Sequence, residues 1–207
     1  KREGRDHIDV WGTGRATSPG ATTAAGGSNA GGSITQTAAT LLNAGAAGTV
    51  ALSTSTGGAS SIGLIGTKIL TTADTITASA GSGGVFITET NGASFTATAT
   101  GAGAINLTST SGTLDIGGPT NSGTGTITLS SGDAITISAA LGDATDGAIT
   151  ISANTAGADA AGFSQGAAGS ITTGNAGIGA VAINVNSAAN GTGGAALDNI
   201  TTGAGGT

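Results

Sequence analysis

The chain has 207 residues, of which 41 are Gly, with one Trp, three Phe, no Tyr, Met or Cys, 8% charged residues and a net charge of −6. Such a composition excludes a globule filled by aromatics, a disulfide framework or thiolate metal site, and the basic stripe that a nucleic-acid backbone requires. No apolar run reaches the length of a membrane span, and a positive mean hydropathy with few charges argues against a solvated, disordered coil.

Residues 1–31 form a segment of their own. Lys1, Arg2, Arg5 and Arg15 stand there with Glu3, Asp6 and Asp9, beside the sole His and the sole Trp. Ile8-Asp9-Val10-Trp11 alternates enough for a short strand. Residues 16–31 are small and polar, with Pro19-Gly20 and Gly26-Gly27 as turn signals, and read as a linker or extended arm. Strand phrases begin at Gly32-Ser33-Ile34 and Gly48-Thr49-Val50-Ala51-Leu52, and a more apolar stretch carries Ile62, Leu64, Ile65, Ile69, Leu70 and Ile76.

From Gly83 a phrase of the form Gly-x-Ile/Val-x-Leu/Ile recurs. It reads Gly83-Gly84-Val85-Phe86-Ile87, Gly103-Ala104-Ile105-Asn106-Leu107, Gly125-Thr126-Ile127-Thr128-Leu129 and Gly147-Ala148-Ile149-Thr150-Ile151, with a weaker copy at Gly169-Ser170-Ile171. The step is about 20–22 residues, the period of stacked units too thin to bury an apolar face alone. A second strand phrase follows each first one, at Phe95/Ala97, Leu114/Ile116 and Ile135/Ile137, after Gly-rich turns. Val181-Ala182-Ile183-Asn184-Val185 is the last strong strand.

Two strands and a long turn per period predict an all-β chain, a parallel β-helix (β-solenoid) over residues 32–207 with about 20–22 residues per coil. Alternation places Val85, Ile105, Ile127 and Ile149 in one inward column and Ile87, Leu107, Leu129 and Ile151 in the next. Thr88, Thr108, Ser130 and Ser152 form an outward column. Coils stacked at about 4.8 Å would set like charges side by side, which explains their scarcity. An antiparallel sandwich, with turns every 8–12 residues, is the alternative.

The run from Gly103 to Ile116 (GAINLTSTSGTLDI) and that from Gly125 to Ile137 resemble repeats of the filamentous-haemagglutinin type, found in large secreted bacterial adhesins. The resemblance spans roughly residues 48–204. It implies a right-handed β-helix at the bacterial cell surface, serving as stalk, fibre or adhesin. The chain carries no recognisable secretion domain of such proteins, and with neither initiator Met nor signal-peptide pattern it reads as a processed chain or a piece of a longer one.

Chemistry is sparse. Lys68 is the single basic residue of the repeat body, so a catalytic groove of carboxylates with Arg or Lys is not expected, nor is a cofactor. Asp143 and Asp146 are the nearest thing to a carboxylate pair and read as turn residues, with a weak calcium site as the other reading. The nonapeptide calcium repeat is absent. His7 reads as a solvated or interface residue, and Gly12-Thr13-Gly14 lacks the Gly-Lys-Ser/Thr of a phosphate loop. Asn106, Asn190 and Asn199 each open an Asn-x-Thr triplet and are candidate N-glycan acceptors. An ice-binding solenoid is the minor alternative; it would need a regular Thr array, and the outward column Phe86, Asn106, Thr128 and Thr150 is mixed.

The expected function is therefore a non-catalytic subunit or segment of an extracellular bacterial fibre, with a passenger adhesin binding a host ligand or glycan as the alternative. A β-helix cut across a coil leaves backbone groups unpaired. The expected partner for that edge is a continuation of the polypeptide or another copy. In the second case residues 1–31 of the neighbour, with Ile8, Val10 and Trp11, pack on the open coil head to tail.

Overall fold

The computed structural model describes residues 7–11, 23–27, 32–36, 41–157, 160–186 and 191–204, with the backbone alone at 7–11, 23–27 and 46. Its strands, in chain order, are β1 (His7–Trp11), β2 (Thr23–Gly27), β3 (Leu42–Ser53), β4 (Ser61–Ile62), β5 (Ile69–Ala80) and β6 (Gly84–Glu89). Next come β7 (Ala93–Ala99), β8 (Ile105–Ser109), β9 (Leu114–Ile116), β10 (Ile127–Ser131), β11 (Ile135–Ile137) and β12 (Ala140–Leu141). The last are β13 (Ile149–Ala153), β14 (Phe163–Gln165), β15 (Ser170–Thr172), β16 (Val181–Val185), β17 (Ala195–Ala196) and β18 (Asn199–Thr201).

Every pairing between these strands is parallel. A sandwich built from hairpins is thereby excluded, and the chain is an all-β parallel β-helix whose sheet curls nearly closed around an axis. The first wall stacks β6, β8, β10, β13 and β16, and the second stacks β7, β9, β11, β14 and β17. β5 is long enough to turn the corner, pairing with β6 through Ile69–Thr71 and with β7 through Thr75–Ala80, and so joins both walls in one 15-stranded sheet. β1 and β2 add rungs to this sheet, β2 pairing with β3 and β1 with β2.

The alternation seen in the sequence becomes the core. In the first wall one column runs Ile34, Ile62, Val85, Ile105, Ile127, Ile149, Val181. Beside it runs Ile69, Ile87, Leu107, Leu129, Ile151, Ile183. The second wall answers with Ile76, Phe95, Ile116 and Ile137, and with Ala93, Leu114, Ile135 and Phe163. These residues are buried except Val181 and Ile183, which are partly covered. Fully burying one such side chain contributes roughly 1.5–3 kcal/mol. The columns are therefore the main source of stability, and β-branched residues suit the half-buried pleat.

Two expectations need correction. Ile171 does not continue the column of Ile149: its place is taken by Val181, 32 positions on. Ile171 lies instead in a third wall, β12-β15-β18, where the inward column runs Thr120, Leu141, Ile171, Ile200. The coil is thus three-walled in this half, and its step is not uniform. The extra length after Ile151 falls between Asn154 and Phe163 and around the third wall. The phrase Gly-Ser-Ile looks alike on any wall, because period two reports which residues face inward but not which wall carries them.

Candidate functional site

Polar side chains concentrate where one wall turns into the next, because the ladder stops there and backbone groups need other partners. At the first-to-second-wall corner the third inward slot is polar in four successive coils, with Thr71, Glu89, Ser109 and Ser131, before Ala153 takes it. Glu89 is fully buried. Its Oε2 accepts from the Thr71 hydroxyl at 2.5 Å, and its Oε1 from the backbone N–H of Thr90 at 2.9 Å and of Ala73 and Asn91 at 3.3 Å. Ser109 works in the other direction, donating to the carbonyls of Ser111 and Gly112 at 2.8 and 3.2 Å. Ser131 also donates to Gly112, at 3.1 Å. Gly112 itself has φ +72°, and a Cβ there would lie 2.2 Å from the Asn91 carbonyl oxygen of the coil below. The corners are tight enough to require it.

Charge scarcity in the sequence does not announce a buried carboxylate. The signal that finds it is alternation carried one step further, since position 89 shares the inward parity of 85 and 87.

The second carboxylate, Asp146, ties three coils together. Its Oδ1 accepts from both the N–H and the hydroxyl of Ser122 at 2.5 Å, and its Oδ2 from the Asp143 N–H at 2.5 Å. Its carbonyl receives the Thr173 hydroxyl at 2.9 Å and the Gly174 N–H at 3.1 Å. Burial raises its pKa above the usual carboxylate range, against the pull of the Ser122 hydrogen bonds. Asp143 faces solvent, and the Thr145 hydroxyl and N–H, at 2.6 and 2.7 Å, lower its pKa. The pair read from the sequence is therefore split: Asp143 makes the local turn bonds, while Asp146 reaches across coils. Both Asp146 oxygens are taken by N–H and O–H donors, and among the described residues no group of three His, Cys, Asp or Glu could hold a metal ion.

Asn154 and Asn186 follow β13 and β16 at equivalent corners, both with positive φ, +52° and +57°. Asn154 Nδ2 donates to Asn186 Oδ1 at 2.6 Å and to the Ala161 carbonyl at 3.0 Å, and Asn186 Nδ2 donates to the Gly193 carbonyl. Asn tolerates the left-handed region, and here its amide also closes the long corner seven residues on.

The outer face of the first wall carries a strap. Residues 63–68 form a small hairpin, closed by paired Leu64–Thr67 backbone bonds at 3.0 Å. Gly63 lies against the Phe86 carbonyl. Lys68 Nζ donates to Asn106 Oδ1 and Thr108 Oγ1, both at 2.7 Å. Partial burial lowers the Lys68 pKa. Phe86, outward by alternation, is consequently only 8% exposed, while Leu64 and Ile65 at the hairpin tip are 52% and 75% exposed.

The candidate residues from the sequence are not brought together. Asn106 lies on the outer face of the first wall, its triplet bridged to Lys68, and Asn199 is exposed on β18 of the third wall. Asn190 lies outside the described residues. Ile8, Val10 and Trp11 stand on β1, and their side chains are likewise outside what is described. No protein family, curated protein or solved structure matches the chain. What the geometry defines is a class, the parallel β-helices, with hydrogen-bonded corners and small hydroxyls on the outer faces.

Proposed function

We propose that this chain is a non-catalytic segment of an extracellular bacterial fibre of the filamentous-haemagglutinin type, elongating by coil-on-coil stacking. The observation that carries this reading is the pair of unbroken inward columns. Each coil presents to the next the surface that it receives from the one before, with no change of chemistry from Ile105 through Ile149. Val181, Ile183 and Val185 repeat that surface on β16 but are only partly covered, where Ile149, Ile151 and Ala153 are fully buried. A further coil, from the same polypeptide or another copy, would cover them. Surface location and bacterial origin are supported by the resemblance of the repeat phrases alone.

Negative-stain microscopy over a concentration series tests the reading, with Ile183→Lys beside the parent. Filaments that lengthen with concentration in the parent, and short rods in the variant, are expected. Short rods from the parent at every concentration would instead favour a passenger adhesin acting through its sides. The exposed Leu64-Ile65 hairpin tip is the feature that supports that second reading.

A further inference from the structure

We propose that Asn91 is a site of spontaneous deamidation in the folded protein. It sits in the first-to-second-wall corner between β6 and β7, with its side chain exposed. No partner among the described residues takes its amide, so the side chain can turn onto its own backbone. The next residue is Gly92, which has no Cβ to shield the peptide nitrogen, has φ +88°, and donates its N–H to no acceptor among the described residues.

The chemistry needs only solvent. The Gly92 nitrogen gives up its proton and bonds to Asn91 Cγ, the Cγ–Nδ2 bond breaks, and ammonia leaves. Water then opens the five-membered succinimide. Opening at the Cγ–N bond restores a normal backbone with aspartate at position 91, and opening at the α-carbonyl–N bond leaves isoaspartate.

Three other described asparagines lack one of these conditions. After Asn121 the Ser122 N–H is held by Asp146, and after Asn154 the Thr155 N–H is held by the Ser131 carbonyl at 2.9 Å. Asn175 precedes an alanine, and its Oδ1 accepts from the Gly177 N–H at 2.8 Å. The product matters because of its neighbour: the Asn91 N–H donates to the Glu89 carboxylate, so a new negative charge enters a corner that already buries one.

The test is incubation of the intact, folded chain in mildly alkaline buffer, followed by proteolysis and mass spectrometry of each Asn-containing peptide. A free peptide of residues 86–97 serves as reference. Asn91 is expected to convert at least about tenfold faster than Asn121, Asn154 and Asn175, a barrier lower by about 1.4 kcal/mol or more, with both aspartate and isoaspartate formed. Within the folded chain it should stay within about tenfold of the free peptide, a barrier difference of no more than about 1.4 kcal/mol. Conversion no faster than at those three, or suppression beyond that margin relative to the peptide, overturns the proposal.

Discussion

Glu89→Ala isolates the corner chemistry. Removing the carboxylate leaves the Thr71 hydroxyl and the N–H groups of Ala73, Thr90 and Asn91 without their acceptor, the first two in buried positions and the last two part-buried. The bonds to Thr71 and Thr90 are short, at 2.5 and 2.9 Å, and stranding each donor costs about 1–3 kcal/mol. The two bonds at 3.3 Å are weaker and contribute less. With one of the two donors only part-buried, the expected net loss is about 2–4 kcal/mol. Glu89→Gln keeps one carbonyl oxygen for the N–H groups, and the Thr71 hydroxyl can turn to accept from the new amide. It should lose only about 1 kcal/mol. Urea unfolding followed by far-ultraviolet circular dichroism reads both variants. A Glu89→Ala protein within about 0.5 kcal/mol of the parent would refute the argument. So would a Glu89→Gln protein as damaged as Glu89→Ala, since the negative charge and not the acceptors would then be at work.

Ile127→Asp places a carboxylate between Ile105 and Ile149 in a fully buried column, and should cost several kcal/mol and lower the melting temperature sharply; unchanged melting would mean that residue 127 does not face inward. Gly112→Ala forces a Cβ onto the Asn91 carbonyl at positive φ and should destabilise by about 2 kcal/mol or more in the same urea assay. Asp146 gives a pH signature. Its pKa is raised on folding, so the folded chain binds the proton more tightly than the unfolded one. Its contribution is most favourable below the unfolded value of 3.8 and is lost as pH rises through the higher folded value. Asp146→Asn should remove that slope from a melting series across the acid range, and a slope identical to the parent's would contradict the assignment.

The inward columns were legible in the sequence because a strand's period of two and a repeat's period of about twenty reinforce each other. Val85 through Ile149 and Ile87 through Ile151 stand in the register that the phrases imply. The wall on which a phrase lies was not legible, since that depends on corner lengths, and Ile171 was displaced by the long corner that begins at Asn154. Corner chemistry was legible only in outline. Ser, Asn and Gly marked the turns, but the crossing of Asp146 to Ser122 spans 24 residues and follows no local pattern. The Lys68 bridge to Asn106, 38 residues away, is equally invisible until the coils are stacked.

A fibre of the proposed kind has its coils stacked along its long axis, which X-ray diffraction from aligned assembled protein detects. The expected pattern has a reflection near 4.8 Å along the fibre axis, from strands lying across it. The same spacing appearing perpendicular to the axis, or protein that never elongates enough to align, would contradict it.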